Sequence, residues 1–264
     1  MSMIRYLFVL VYFDARRFFS KIAAKGSGLQ PSIRLSSKGD FQAIMRDYYK
    51  NGFVVIPNYW SNDKCSSLVN ELDSLFSNPS ISSSLNEDIR IYDAQNYSKI
   101  AKDFFSDEQL QQVSKWATGL KLENYGTMAN RVEPNKSALG SGGDWHRDSN
   151  YCQFKTLIYL TDVSGVDDGA FQIITRSGSV FSVLSSNIRM KKKLTETRWT
   201  DLEIQRLGVS DKIRTVIGKA GSLVIFDTSN LHRGAANRNK YRYALTNYYY
   251  SNLVNQQYGY NPGN

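Results

Sequence analysis

Histidine is nearly missing from this chain: two of 264 residues, His146 and His232. Cysteine is as scarce, with Cys65 and Cys152 far apart and no Cys-X-X-Cys pair. That excludes a disulfide framework and a thiolate zinc cluster, and it fits a reducing, cytoplasmic compartment. No apolar run approaches the roughly 20 residues needed to cross a bilayer. The run at residues 6–13 is followed at once by Asp14-Ala15-Arg16-Arg17, without the small-residue cleavage site of a secretory leader. No internal repeat is visible. What remains, 41% hydrophobic and 22% charged, is the composition of a globular chain long enough for a full core.

The net charge of +9 is concentrated in two places. Residues 1–26 carry Arg5, Arg16, Arg17, Lys21 and Lys25 against Asp14, and residues 188–198 carry Arg189, Lys191, Lys192, Lys193 and Arg198 against Glu196. The first segment reads as an amphipathic helix with aromatic and basic residues. It is suited to lie on a membrane surface or another protein, or to pack on its own domain. Residues 27–39 read as a linker, and residues 40–264 as the main domain.

That domain opens with Asp40 as N-cap and Phe41, Ile44, Met45 and Tyr48 on one helical face. Asn51-Gly52 ends the helix, and residues 53–57 form a strand. Ser61 caps a second helix with Leu68, Val69, Leu72, Leu75 and Phe76 as its apolar stripe. Residues 77–84 read as a mobile, serine-rich loop. Beyond Leu122, short β-rich runs dominate: residues 128–132, 156–160, 170–175, 213–216, 222–226 and 241–250. One helix interrupts them at 201–207, announced by the capping box Thr200-Asp201-Leu202-Glu203 and stopped by Gly208. The pattern predicts a mainly β fold with flanking helices, a double-stranded β-helix of the jelly-roll or cupin-like barrel kind.

His146 stands in Asp144-Trp145-His146-Arg147-Asp148, and His232 in Asp227-Thr228-Ser229-Asn230-Leu231-His232-Arg233-Gly234. Side chains two apart on an extended segment point the same way, so His146 and Asp148 can reach one ion. With a second, distant His they form a two-His-one-carboxylate face, which leaves positions open and suits non-haem Fe(II). Isolated histidines also occur as surface or core residues. Here no other His is available, and both stand where strands end.

After residue 40 the sequence resembles the phytanoyl-CoA dioxygenase family of Fe(II)/2-oxoglutarate oxygenases. The resemblance rests on Gly52-Phe53-Val54-Val55-Ile56-Pro57, Trp145-His146-Arg147-Asp148, Leu157-Ile158-Tyr159-Leu160-Thr161-Asp162-Val163, Asp168-Gly169-Ala170-Phe171, Ala220-Gly221-Ser222-Leu223-Val224-Ile225-Phe226-Asp227 and His232-Arg233-Gly234, in that order. It implies iron held by His146, Asp148 and His232, with 2-oxoglutarate and O2 as co-substrates. It also implies an Arg about ten residues past the second His for the distal carboxylate. Arg242 is so placed, its fork matches a carboxylate, and Thr246 lies on the same strand face. A surface arginine at 242, with Arg233 or Arg238 in its role, is the other reading. Asn130, and Lys155 or Thr156, could meet the other end of 2-oxoglutarate or the substrate, or could be ordinary strand residues.

Where many relatives carry Pro-Gly-Ser-His, this chain has Thr175-Arg176-Ser177-Gly178-Ser179-Val180. The resemblance implies hydroxylation of an aliphatic carbon, and the two basic segments point to an anionic small-molecule or lipid-linked substrate. Residues 188–198 are suited to clamp phosphates near the barrel mouth. Halogenation, desaturation or epimerisation at the same iron, and a non-enzymatic basic β-barrel, are the competing readings. Nucleic acid fits least, because aromatic and basic residues do not interleave in a groove pattern.

Overall fold

The computed structural model describes residues 3–26, 35, 41–85, 88–134 and 142–251. The 27–39 linker apart from Leu35, and the Asp40 cap, lie outside the described residues. The helices are α1 (Met3–Gly26), α2 (Phe41–Asn51), α3 (Asn62–Phe76), α4 (Lys99–Phe105), α5 (Glu108–Thr118), α6 (Val180–Arg189) and α7 (Asp201–Leu207). The strands run β1 (Phe53–Ile56), β2 (Ser82–Leu85), β3 (Asp88–Ile91), β4 (Glu123–Val132), β5 (Trp145–His146) and β6 (Phe154–Tyr159). They continue with β7 (Phe171–Ile174), β8 (Arg198–Trp199), β9 (Ile213–Val216), β10 (Leu223–Asp227), β11 (His232–Gly234) and β12 (Arg242–Tyr250).

Strand alternation sorts these side chains into layers. On β6, β10 and β12, Ile158, Leu223, Ile225, Tyr243 and Leu245 join the helices α2 to α5 in one core. Their neighbours Leu157, Tyr159, Val224, Phe226 and Ala244 face Phe171 and Ile173 of β7 in a second core between the sheets. A third core, around Trp145, Trp199 and Leu231, lies under α7. Strands buried on both faces favour continuous apolar runs, as β10 shows, whereas β6 and β12 also bury Lys155, Thr156, Arg242 and Asn247.

The larger sheet has the order β1-β10-β6-β12-β4-β3-β2, and the smaller β8-β5-β11-β7-β9. The two pack face to face but do not close, so the expected barrel is a double-stranded sandwich with edges at β1 and β2, and at β8 and β9. Residues 77–84 are not wholly loop: β2 pairs with β3 over four positions. Partner strand β3 supplies a ladder that serine's low strand preference does not announce. Helix α6 is also additional to the sequence reading. It buries only Val183 and Asn187, too few to make a stripe, and starts from the cap Ser179.

The N-terminal helix is docked at home along one side. Tyr6, Leu10 and Phe13 are buried, the Tyr6 hydroxyl donates to Leu194 O at 2.6 Å, and Arg16 Nε donates to Gly119 O at 2.9 Å. Gly119, at φ +69°, permits this approach: a Cβ there would stand 2.5 Å from the Arg16 carbonyl oxygen. Arg17 reaches furthest, with Nη1 2.8 Å from Oδ2 of Asp227, whose side chain is 2% exposed. Arg17→Met is therefore expected to lower unfolding stability by roughly 1 to 3 kcal/mol, a charge-assisted hydrogen bond discounted for the guanidinium's partial exposure. An unchanged urea midpoint would mean that this contact contributes nothing.

Candidate metal centre

Strand β11 pairs with β5 in a register that sets His232 directly opposite His146. The ring centroids are 4.4 Å apart. Asp148, two residues past His146, places Oδ1 3.7 Å from His146 Nε2 and Oδ2 3.7 Å from His232 Nε2. The three donor atoms lie within 4.8 Å of one another. Each imidazole has Nδ1 2.9 Å from a backbone carbonyl, Asp144 O for His146 and Asn230 O for His232. A carbonyl only accepts, so each ring keeps its proton on Nδ1 and presents a free lone pair at Nε2.

The charge states suit a metal. Burial, then the neighbouring His146, pushes the His232 imidazole down to about 3, and burial also lowers His146. Both are neutral ligands at physiological pH. Burial alone would raise the Asp148 carboxyl, but the Lys155 ammonium and then the two imidazoles outweigh it and hold the group well below the usual carboxylate range. Two neutral nitrogens and one carboxylate on one face are the donors that Fe(II) accepts, with positions left open.

The turn that delivers His232 is fixed from several sides. Asp227 Oδ1 accepts from Ser229 N and Oγ and from Gln153 N. Arg147, 2% exposed, donates to Ser229 O and Ser177 O. Ser177 Oγ accepts from Leu231 N at 2.8 Å, and Gly178 N donates to Asn230 Oδ1 at 2.9 Å. The segment that departs from the family pattern thus clamps the second histidine from behind. A Cβ on Gly178 would stand 2.4 Å from Ser229 Oγ and 2.9 Å from Asn230 N. Gly178→Ala is expected to shift this turn and weaken Fe(II) binding by about 10- to 100-fold, as loss of outer-shell support does. Metal titration checks it, and wild-type affinity would show that the turn tolerates the displacement.

The donors open into a cavity of about 510 Å³ between the sheets. Arg90, Arg147, Lys155, Arg198, Arg233 and Arg242 line it, and Asp148 is the one acid among its described lining residues. Arg242 points inward from β12, is 3% exposed, and has an Nε without a hydrogen-bond partner. Thr246 shares that face and the cavity. The alternatives are otherwise engaged: Arg233 is held by Asp201 and Gln172, while Arg238 is exposed beside Asp167.

Asn130 reaches the cavity, but its amide donates to Asp88, which also binds Arg90. Lys155 places Nζ 2.7 Å from Asp148 Oδ2 and 3.9 Å from the centre of the Tyr248 ring. Thr156 falls on the opposite strand face and is not in the cavity wall. Of residues 188–198, Lys192 is taken by Glu203, and Arg198 reaches the cavity mouth, with Nη1 3.4 Å from Gly142 O. Arg90 and Tyr248, which no motif contains, also line the cavity, as does Arg147, which stands in the first histidine's motif without an assigned role.

The family model described as phytanoyl-CoA dioxygenase matches residues 48–243. No curated protein matches the chain by sequence. Among solved structures, the fold is similar to HygX from Streptomyces hygroscopicus with nickel and 2-oxoglutarate bound, at 15% identity, covering 81% of this chain and 89% of that one, TM-score 0.61. It is similar to the carbocyclase SnoK of nogalamycin biosynthesis, at 16% identity over 84% and 88%, TM-score 0.63. EctD from S. alaskensis, with 2-oxoglutarate and 5-hydroxyectoine, is likewise similar at 16% identity over 84% and 81%, TM-score 0.59. At such identities the likeness is one of fold.

Proposed function

The chain belongs to the phytanoyl-CoA dioxygenase family of Fe(II)- and 2-oxoglutarate-dependent oxygenases, and from that premise we propose that it hydroxylates an aliphatic carbon of an anionic small molecule. One observation carries this reading: a single cavity holds the His146, Asp148 and His232 donors together with the buried, unpartnered Nε of Arg242. A metal and a carboxylate-bearing co-substrate are what those two features fit.

In this reading His146 and His232 offer Nε2, and Asp148 offers a carboxylate oxygen. Lys155 keeps that carboxylate ionised and oriented. Arg242 would hold the distal carboxylate of 2-oxoglutarate, with the Thr246 hydroxyl beside it. Bound there, Fe(II) with 2-oxoglutarate and O2 supplies the oxidising power needed to attack an unactivated C–H bond. The cationic wall favours an anionic substrate, and Arg198 at the mouth is the group best placed to meet it.

Hydroxylation is favoured over halogenation because Asp148 fills the position a halide would need. Other outcomes occur on this scaffold, as the carbocyclase SnoK shows for itself. Incubation with Fe(II), 2-oxoglutarate, bromide and a panel of anionic metabolites should yield succinate and only oxygenated product. A brominated product, or succinate formed equally without iron, would overturn the proposal.

A further inference from the structure

Helix α1 carries two apolar stripes, and the body covers only one. Tyr6, Leu10 and Phe13 face inward. Ile4, Phe8, Val11, Ala15, Phe18 and Ile22 follow one another at steps of four and three along the opposite side, with Phe19 beside them. Ile4 is 82% exposed, Phe8 69% and Phe19 66%, and Val11, Phe18 and Ile22 are also more than half exposed. A contiguous apolar face of this length, rimmed by charge, marks an interaction surface. Helix α6, which touches α1, exposes Phe181 and Ile188 as well.

The charges around this face are mainly basic, with Asp47 4.0 Å from Arg46 as one exception. Arg5, Arg16 and Lys21 belong to α1, and its one acid, Asp14, is tied to Arg17. Phe18 and Lys21 also line a second cavity, of about 710 Å³, together with Arg46, Lys50 and Arg176. Its acids are Asp14 and Asp227, both paired with Arg17. The buried hydroxyl of Tyr48, another lining residue, has no hydrogen-bond partner.

We propose that the outer face of α1 lies on an anionic lipid surface, with its aromatic stripe among the acyl chains and the cations of α1 and the second cavity on the phosphates. A second copy of the helix would set basic residues against basic residues, whereas anionic lipid complements them. No described helix is long and apolar enough to cross a membrane, so the contact is a peripheral one. It places the oxygenase fold at the lipid surface through a face separate from the metal cavity.

The test is cosedimentation of the full chain with vesicles of phosphatidylcholine alone or mixed with phosphatidylserine. Binding is expected only with phosphatidylserine and should fall as salt rises. The combined change Phe8→Ser, Phe19→Ser and Ile22→Ser should weaken it at least about tenfold. Lys21→Gln, Arg46→Gln and Lys50→Gln together should flatten its salt dependence. None of these residues lines the metal cavity, so circular dichroism and Fe(II) binding should match wild type.

Because both native cysteines are buried, a fluorophore on Phe8→Cys gives a second readout if the serine set misfolds, and its emission should shift blue with phosphatidylserine vesicles. Wild type that does not sediment, binding kept by the folded serine set, or an unshifted fluorophore would overturn the proposal. So would a dimer that the serine set dissolves, which assigns the face to a second copy.

Discussion

His232→Ala is expected to abolish Fe(II) binding and, with it, all turnover of 2-oxoglutarate. The variant removes one of three donors at a site where the other two cannot enclose an ion, so the affinity loss should exceed the roughly 10- to 100-fold seen when only outer-shell support is lost. The weak visible band that Fe(II) and 2-oxoglutarate give together under anaerobic conditions should disappear. His146→Ala should do the same, because the two histidines are cross-strand partners whose Nε2 atoms both face Asp148. Retained metal affinity in both folded variants would mean that the cluster is not the iron site.

Arg242→Ala is expected to leave iron binding intact and to raise the apparent constant for 2-oxoglutarate by about 30-fold to several thousand-fold. That range corresponds to roughly 2 to 5 kcal/mol for a desolvated, hydrogen-bonded charge pair. Burial lowers the Arg242 guanidinium from its ordinary value, and no carboxylate among the described residues forms an ion pair with it. An isolated buried cation costs stability, so the variant without co-substrate should melt no lower than wild type. Loss of binding with no loss of stability separates a ligand-binding arginine from a structural one. An unchanged constant would return the role to Arg233, which already spends its fork on Asp201 and Gln172, or to Arg238.

Much of the frame was legible because its signals are local. The Ser61 cap, the Thr200–Glu203 box and Gly208 all act where their residue types suggested. Strand β10 stood out as an apolar run, and β6 and β12 as runs rich in aromatic and β-branched residues. Ser98 and Asp107 cap α4 and α5 and were equally open to such a reading. By contrast β5, β8 and β11 have two or three residues each. Alternation cannot be recognised over so short a span, although these strands carry both histidines. Arg90 was invisible for another reason: β3 is a four-residue strand, and only its pairing with β4 sets Arg90 beside Asn130.

By itself the sequence named the candidate metal donors that the fold brings together. The chain has two histidines, and Asp144 and Asp148 both stand two positions from His146; i, i+2 geometry on extended backbone brings such pairs to one face, and the resemblance singles out Asp148. Arg242 and Thr246 share a strand face for the same local reason. Only the tertiary structure decided what the neighbouring polar groups do. Lys155, a candidate for the co-substrate or the substrate, lines the cavity with its ammonium on Asp148; Asn130 lines it bonded to Asp88, and Thr156 is not in the cavity wall. The N-terminal helix was open between membrane and body, and the fold buried one of its stripes while leaving the other exposed. Each of these outcomes depends on which distant segment arrives opposite a side chain, and that is set by sheet register and helix docking, which act between residues far apart in the chain.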